Sequence, residues 1–389
     1  MYPHAKIVYV LLSFLNIALM SLGAFNMAKS KATKNYWKYA LLPIISYTLY
    51  MGLRFGRQVD FNVYESRYYN IGIDPSLEDY EPLFEWICYA FNCVQLPYQF
   101  FILFCSFILV FSLFFFLKDY RSAMPYMICL FLWESYYAEN YIRWYLGIAF
   151  FLLYIYYLRR NDKIFVLYAI AAISTHIGMI IMIGATLIIS KIKFVPFPSY
   201  VWQILLILSV FVGSTQILSY LSAYVMILAV DERSAAYASQ FIDIIEGDFG
   251  YIGFRSNNGL STHIRIILAY SFPIYMIKDL IKEKVIKFLD ANCYLIGIVI
   301  APIFTQVEIL DRISSGFLMF SIIVSGCAYW YIFKNKKQFS KVWVVFAALS
   351  LFCNVWPVIS GIIGREGWWN MLFYWDANGR ESLPTSYFR

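Results

Sequence analysis

The sequence predicts an all-α fold, a polytopic membrane bundle of about twelve transmembrane helices whose outer-side loops and amphipathic helices form a cavity. Three observations predict it. Of the 389 residues, 61% are hydrophobic and only 14% are charged, and the mean hydropathy is +0.63. Apolar runs recur along the chain, and the loops between them differ in charge. No soluble domain of this length could bury so much apolar surface, so we predict a single integral-membrane domain over residues 1–389.

Each predicted helix is an apolar run suited to a membrane. Crossing roughly 30 Å of hydrocarbon takes about 17 to 25 residues, or fewer where a helix is short or broken. The runs are Ile7 to Met27, Tyr39 to Leu53, Tyr98 to Leu117, Met124 to Tyr137, Ile142 to Leu158, Ile164 to Ser174, Gly178 to Ser190, Val201 to Ser219, His263 to Ile277, Leu289 to Thr305, Ile313 to Phe333 and Val342 to Pro357. The first run lacks a small-residue cleavage site, so it resembles a retained anchor more than a signal peptide.

Residues 164–190 can be read as one long helix or as two short helices broken at residues 174–178. Two passes keep Lys191 and Lys193 on the same side as Arg159 and Arg160, whereas one pass would invert every later loop. We therefore predict the break, which places His176 at or just inside the outer surface. Both chain termini are then external.

The basic residues sort by type between the two sides. Sixteen of the seventeen lysines fall in one set of loops, with Arg121, Arg159 and Arg160. Membrane proteins keep Lys and Arg in cytoplasmic loops, so this set is predicted to be cytoplasmic. The net charge of +7 therefore hides a positive inner side and a negative outer side. This separation argues against a nucleic-acid partner.

Eleven of the fourteen arginines fall on the predicted outer side, which has almost no lysine. Arginine offers a planar fork that grips phosphate or carboxylate through two N–H donors, which a lysine ammonium cannot reproduce. The pattern predicts an outward-facing site for an anionic substrate. The outer segments are residues 54–97, 220–262 and 358–389, and residues 81–96 read as a half-buried helix along the membrane.

The densest candidate site lies where the second span ends. Arg54, Arg57, Asp60 and Tyr64 follow one another there. Glycines on both sides of Arg54 would let backbone approach a ligand closely. The alternative is a solvated rim whose arginines anchor lipid headgroups.

A second candidate opens a helix with Glu139, Asn140 and Arg143. Arg143 begins an apolar run, where an unpaired charge would cost a few kcal/mol, so it should have a partner. Glu139, four residues earlier, is a candidate partner by helical geometry. The functional alternative is that both side chains face a shared aqueous cavity.

Two smaller candidates are His176 and the loop that contains Asp311 and Arg312. His176 adjoins the predicted break, and irregular backbone at membrane depth occurs only inside protein or at a water-filled cavity. The alternatives are a packing histidine and a local ion pair of Arg312. We predict no metal site, since Glu78, Asp79 and Glu81 suit a hard cation only weakly.

These residues, taken in order, resemble the bacterial polysaccharide polymerases of the Wzy (O-antigen polymerase) and EpsG-like type. The family pattern is Arg-aromatic-Gly-x-x-x-Asp with a following Tyr, then Glu-Pro, Asn-x-x-Arg, a His and a late Arg. The matching positions are Arg54 to Asp60, Tyr64, Glu81-Pro82, Asn140 to Arg143, Thr175-His176 and Arg312. The likeness covers most of residues 1–190 and thins afterwards. Trp144 departs from the usual Gln, and Ile177-Gly178 from the usual Ser-Ala.

The resemblance implies a glycosyltransferase of the bacterial inner membrane, multi-pass, metal-independent and without a cofactor, whose active site faces the periplasm. It would transfer a growing glycan from undecaprenyl pyrophosphate to the non-reducing sugar of an incoming lipid-linked unit, as in lipopolysaccharide or other polysaccharide biosynthesis. Its partners would be undecaprenyl-pyrophosphate-linked glycans and membrane lipids, with a chain-length regulator as a further candidate.

Such a reaction needs fixed positive charge on the departing pyrophosphate and a base for the acceptor hydroxyl. We predict that Arg54, Arg143 and Arg312 converge on the pyrophosphate. His176 fits the base by its intrinsic pKa, and Asp60 is the alternative. The predicted substrate-binding residues are Arg57, Tyr64, Glu81, Glu139, Asn140, Arg265 and Asp311, with Tyr68, Tyr69, Trp368 and Trp369 as further aromatics for sugar stacking.

Two other functions fit parts of the pattern. A flippase for lipid-linked glycans would place ionisable residues near mid-membrane and show internal symmetry. A metal-dependent glycosyltransferase that uses lipid-phosphate sugars would rely on Asp79 and Glu81.

Overall fold

The computed structural model describes residues 4–30, 32–57, 59–74, 80–213, 259–304, 308–366 and 371–376. In these ranges the chain is helical apart from its connections and one isolated antiparallel bridge between Arg54 and Phe373. Numbered over the described residues, the helices are α1 (Ala5–Lys29), α2 (Thr33–Gly52), α3 (Val59–Ile73), α4 (Pro82–Cys93), α5 (Tyr98–Leu117), α6 (Met124–Glu134), α7 (Ile142–Leu158), α8 (Phe165–Thr175), α9 (Met179–Ile189), α10 (Ser199–Gly213), α11 (Leu260–Lys282), α12 (Phe288–Phe304), α13 (Glu308–Lys334) and α14 (Lys341–Ile363). The all-α prediction is confirmed for this part of the chain.

Several of these helices are apolar enough to lie in a membrane. Four stretches within the described ranges are also long enough to cross it: α1, Tyr98–Glu134 across α5 and α6, Leu310–Lys334 in α13, and α14. Shorter apolar helices accompany them, namely α7, α8, α9, α10 and α12. The apolar helices indicate a membrane protein, while the count of about twelve spans is not confirmed. Most of the predicted outer segment 220–262 lies outside the described residues.

The chain divides into two compact units. The first comprises Met1–Ala185 with Val355–Arg389, and the second comprises Thr186–Asn354. The prediction of one integral domain over residues 1–389 stays a prediction.

In the first unit, α2 packs between α1 and α5, and α7 packs between α5 and α8. Small residues allow these close contacts, as is usual for helices in membranes. A Cβ added to Gly23 of α1 would overlap the Pro43 ring of α2, and one added to Gly52 would lie 2.5 Å from Leu103 of α5. α2 is therefore packed closely against both neighbours, against α1 at its middle and against α5 at the C-terminal end from which Arg54 emerges.

The predicted helix break at residues 174–178 is confirmed. α8 runs antiparallel to α7, because the Tyr168 ring stacks on Tyr157 at 5.3 Å and the His176 ring contacts Trp144 at 4.9 Å. α9 runs parallel to α7, since its first residues lie beside Gly147 and Ile183 O accepts a hydrogen bond from Tyr154. The chain thus reverses direction at His176.

Hydrogen bonds join α11 to the part of α14 that belongs to the second unit, and a proline in each helix explains them. Pro273 of α11 has no N–H for the Ala269 carbonyl, which instead accepts from Ser350 Oγ at 2.8 Å and Asn354 Nδ2 at 3.1 Å in α14. Pro357 of α14 likewise frees the Cys353 carbonyl, which accepts from Arg265 Nη1 of α11 at 3.4 Å. Each helix thus supplies donors to a carbonyl freed in the other.

Candidate functional site

The exit of α2 is held by the last described segment of the chain. Gly56 has φ +59°, a conformation that glycine adopts without strain. The Phe55 N–H donates to Leu372 O at 3.1 Å, and the Tyr374 N–H donates to Leu53 O at 2.8 Å. Residues 371–376 therefore close the turn after α2, and the predicted close approach of this backbone to a ligand stays a prediction.

Glu139 lies at the centre of the first group of predicted site residues. Its Oε1 is 3.1 Å from Arg57 Nη1, and its Oε2 is 2.5 Å from Arg365 Nη2. Arg57 is completely buried and also donates from Nε to Leu372 O at 2.9 Å, while Arg365 donates to Tyr9 Oη at 2.9 Å. One carboxylate thus binds two guanidinium groups, one with each oxygen.

Arg54 lies beside this pair without a carboxylate of its own. Its side chain is 2% exposed and donates to Met51 O at 2.5 Å and to Ala138 O at 3.3 Å. Among the described residues, no carboxylate lies within 4 Å of it. Arg54, Arg57, Arg365 and Glu139, which we call the arginine cluster, therefore bring together three basic groups and one acid.

Protonation preserves this excess of positive charge. Burial acts to raise the pKa of Glu139, but the charges of Arg365 and Arg57 outweigh it and lower that pKa overall. Burial acts to lower the pKa of Arg365, and Glu139 more than compensates, so that pKa is raised. Burial lowers the pKa of Arg54, although guanidinium groups remain protonated in proteins. The arginine cluster is therefore a buried site of net positive charge.

A mostly apolar cavity of about 50 Å³ adjoins Glu139. Its walls include Tyr9, Tyr50 and Tyr136, whose rings also lie beside the arginines: Arg57 is 5.1 Å from the Tyr9 ring, and Arg365 is 5.7 Å from that of Tyr136. A water molecule needs roughly 10–15 Å³ of such space, so the cavity can hold a few waters. It is too small for a sugar.

Glu81 organises a second group of predicted residues. Its Oε2 is 2.5 Å from Arg143 Nη1, and its Oε1 accepts a hydrogen bond from the Ile177 N–H at 2.8 Å. The carboxylate thus joins the starts of α4 and α7 to the turn between α8 and α9. The suggested pairing of Arg143 with Glu139 is wrong, because Glu139 lies in the 3-10 turn Tyr136–Glu139 before α7 begins.

His176 is fixed within that turn. Its backbone is extended, and its Nδ1 accepts a hydrogen bond from the Gly178 N–H at 3.1 Å. Its ring meets Trp144 edge to face, with centroids 4.9 Å apart. A Cβ added to Gly178 would lie 3.0 Å from Trp144 Cζ3. Trp144 and Gly178, which both depart from the family pattern, are therefore neighbours. The Trp144 indole occupies the space that a larger residue at position 178 would need.

Aromatic rings and a further arginine surround Arg143. The Arg143 guanidinium lies 4.5 Å from the Tyr80 ring, and that of Arg67 lies 5.2 Å from the same ring. Arg67 also donates to Tyr80 Oη. Tyr64, predicted to stack on a sugar, stacks on Tyr80 with ring centroids 6.3 Å apart.

The structure also brings Asp60 close to Asn140. The Asp60 N–H, in the first turn of α3, donates to Asn140 Oδ1 at 3.3 Å. This contact connects the first turn of α3 to the residues just before α7. Asn140 is three residues before Arg143 in the sequence.

The remaining predicted residues are described unit by unit. Arg265, Asp311 and Arg312 belong to the second unit, where Asp311 Oδ1 accepts from Ser314 Oγ at 3.4 Å and Arg265 caps the Cys353 carbonyl. The convergence of Arg312 with Arg54 and Arg143 stays a prediction. Of the other residues named, Tyr68 is buried and Tyr69 exposed, and those outside the described part are Glu78, Asp79, Trp368 and Trp369.

Sequence reasoning missed three members of the two groups: Arg365, Arg67 and Tyr80. Arg365 follows the end of α14 by two residues, just as Arg54 follows the end of α2 by two. A basic residue directly after an apolar run was therefore an available signal. No comparable signal marked Arg67 or Tyr80, since their importance comes from Arg143, which is distant in sequence.

A family model described as the EpsG family matches residues 37–370, most of the chain. The match includes the α2 exit, Glu81, the start of α7, His176 and Arg365. No curated protein and no solved structure matches the chain.

Proposed function

This chain belongs to the EpsG family, a family of Wzy-like polysaccharide polymerase-type membrane proteins, and we propose that it polymerises undecaprenyl-pyrophosphate-linked oligosaccharide units. The growing glycan moves to the non-reducing sugar of an incoming unit, and the lipid pyrophosphate leaves. The reaction takes place on the periplasmic side of the bacterial inner membrane. The lysine-rich loops, which the positive-inside rule assigns to the cytoplasm, support this orientation.

The positive excess of the arginine cluster carries the proposal. A buried cation without a counter-ion is costly, so a site with three guanidiniums and one carboxylate favours an anionic ligand. Within the described ranges, Arg54 is the member without an acid of its own. Pyrophosphate oxygens are suitable partners, because guanidinium binds phosphate through two parallel N–H donors.

The second group supports the same assignment from the side that solvent reaches. The side chains of Arg143 and Glu81 are 9% and 10% exposed to solvent, whereas that of Arg57 is fully buried. Glu81 engages Nη1 of Arg143, and no other acid of the described residues pairs with this guanidinium, which leaves Nη2 for a second anion. Tyr64 and Tyr80 offer stacked rings beside it for the sugar.

In the proposed reaction the acceptor hydroxyl attacks the sugar carbon that carries the pyrophosphate. A new C–O bond forms, the old C–O bond breaks, and its electron pair leaves on the phosphate oxygen. The arginines stabilise the charge that develops there. The hydroxyl proton passes to a base, for which His176 and Asp60 are the candidates.

Purified protein incubated with lipid-linked oligosaccharide tests the proposal. A polymerase yields a ladder of lengths, whereas a single addition would indicate a monomer transferase and no product would leave transport as the alternative. Arg54→Ala should lower ladder formation by about 10²- to 10³-fold, the usual loss when one stabilising donor is removed.

Arg160→Ala is the matched control. This arginine pairs with Asp119 at 2.6 Å on the predicted inner side, where its side chain is 34% exposed. Its loss should leave the ladder unchanged. Equal activity of Arg54→Ala and the wild type would contradict the proposal.

A further inference from the structure

The Nδ1 atom of the His176 imidazole is engaged by the protein's own backbone. Nδ1 accepts the hydrogen bond of the Gly178 N–H at 3.1 Å. We infer that His176 serves the reaction as a hydrogen-bond donor through Nε2, and that Asp60 is the base. This inference rests on the proposed function, whose two candidate bases it separates.

The turn that carries His176 is held from three sides. Glu81 Oε1 accepts the N–H of Ile177, the residue that follows His176, at 2.8 Å. The Trp144 ring lies against the imidazole at 88° between planes. Gly178, whose N–H occupies Nδ1, is itself confined by that indole. The orientation of the ring is therefore set by protein contacts before any substrate arrives.

This orientation decides the tautomer. A neutral imidazole has one N–H and one lone pair, and a nitrogen that accepts a hydrogen bond is the one without the proton. Because Nδ1 accepts, the proton of neutral His176 is on Nε2. A general base needs a lone pair for the incoming proton. The lone pair of neutral His176 is on Nδ1, where it accepts the hydrogen bond of the Gly178 N–H. Nε2 can only donate.

Glu81 holds the turn that carries His176 beside Arg143, since one of its oxygens binds the Arg143 guanidinium and the other the Ile177 N–H. Both groups then act on the departing phosphate oxygen, His176 by a hydrogen bond that transfers no proton. The acceptor hydroxyl gives its proton to the Asp60 carboxylate. Asp60 lies at the start of α3, where its backbone contacts Asn140, three residues from Arg143.

Three variants of His176 separate a donor from a base. Gln places its amide N–H about as far from the backbone as Nε2 but cannot take up a proton near neutral pH, whereas Asn reaches only as far as Nδ1. We expect His176→Gln to keep ladder formation within about tenfold of the wild type, and His176→Ala and His176→Asn to lose about 10²-fold or more. Activity is normalised to folded protein in the membrane fraction.

If His176→Gln is as inactive as His176→Ala, or if His176→Ala keeps wild-type activity, the donor assignment is overturned. Absence of a ladder from the wild-type protein would instead overturn the proposed function.

Nitrogen-15 NMR of histidine-labelled protein provides a test without turnover. The chain has three histidines, so comparison with His176→Gln assigns the signal of His176. We expect the shifts of a neutral ring protonated on Nε2. A ring protonated on Nδ1 would overturn the assignment, whether or not the polymerase assay succeeds.

Discussion

Glu81 and Arg143 are 62 positions apart in the chain, yet they form an ion pair of 2.5 Å, and the second oxygen of Glu81 holds the backbone next to His176. The Glu-Pro, Asn-x-x-Arg and Thr-His elements of the sequence are therefore parts of one structure. A change at Glu81 should affect all of them.

Glu81→Gln should reduce both stability and polymerisation. The substitution leaves the Arg143 charge without its carboxylate, and breaking a buried pair costs about 3–5 kcal/mol. Thermal unfolding in detergent and ladder formation measure the two effects. Asp119→Asn is the control, because it removes a pair with Arg160 that is about one-third exposed, and such pairs contribute only about 0–1 kcal/mol. Equal effects of the two variants would refute the role of Glu81.

Arg143→Lys should fail to support polymerisation. Lysine keeps the charge and can still reach Glu81, but it loses the planar fork and the stacking on Tyr80. We expect a loss of about 10²-fold in ladder formation, as for other stabilising donors, with membrane insertion unchanged. Activity near the wild-type level would count heavily against recognition of phosphate by two donors.

Glu139 should make the protein sensitive to acid. Its pKa is lowered because Arg365 and Arg57 outweigh the effect of burial. The stability from these ion pairs is fully present above the ordinary pKa of 4.5 and is lost as pH falls through the lowered value. Thermal unfolding followed from pH 7 to the acid range should show this decline in the wild type. Glu139→Gln should be less stable than the wild type at neutral pH and should lack the part of the decline that Glu139 causes. If the stability of the two proteins depends on pH in the same way, the prediction is wrong.

Gly178→Ala should destabilise the turn between α8 and α9. A smaller residue at position 144 should reduce this destabilisation, because it removes the ring that the new methyl group would meet. The new methyl group would lie 3.0 Å from Trp144 and 3.1 Å from His176 Nδ1, and overpacking of this kind costs about 1–3 kcal/mol. A double-mutant cycle with Trp144→Gln measures the coupling through unfolding. The control is Gly184→Ala in α9, where a Cβ meets nothing within 4 Å. Additive effects in the cycle would show that positions 144 and 178 do not act together.

Local features of the sequence predicted local features of the structure. Apolar runs predicted helices, and the Ser-Thr-His-Ile-Gly interruption predicted the reversal at His176. The gathering of arginines at the end of α2 also indicated the place of the arginine cluster. Each of these signals is contained in a stretch of consecutive residues.

The partners of the charged residues could not be predicted in the same way. Glu139 was matched to Arg143 by helical spacing, which does not apply because α7 begins only at Ile142. The actual partner of Arg143 is 62 positions away, and Arg365 is 226 positions from Glu139. Such contacts depend on how the helices pack, which no local pattern specifies. The length of α8 and α9, eleven residues each, likewise shows why spans could not be counted from hydropathy alone.

The contacts of Arg57 have a consequence for the newborn chain. Arg57 meets Glu139 after 82 further residues have been made, but Leu372 follows only after 315. During synthesis residues 371–376 must therefore emerge from the ribosome before the Leu372 carbonyl can accept from this guanidinium. A nascent chain stopped before residue 371 would have the acid that pairs with Arg57 but would lack the segment that bonds to the exit of α2. Formation of this site is thus tied to the synthesis of residues 371–376.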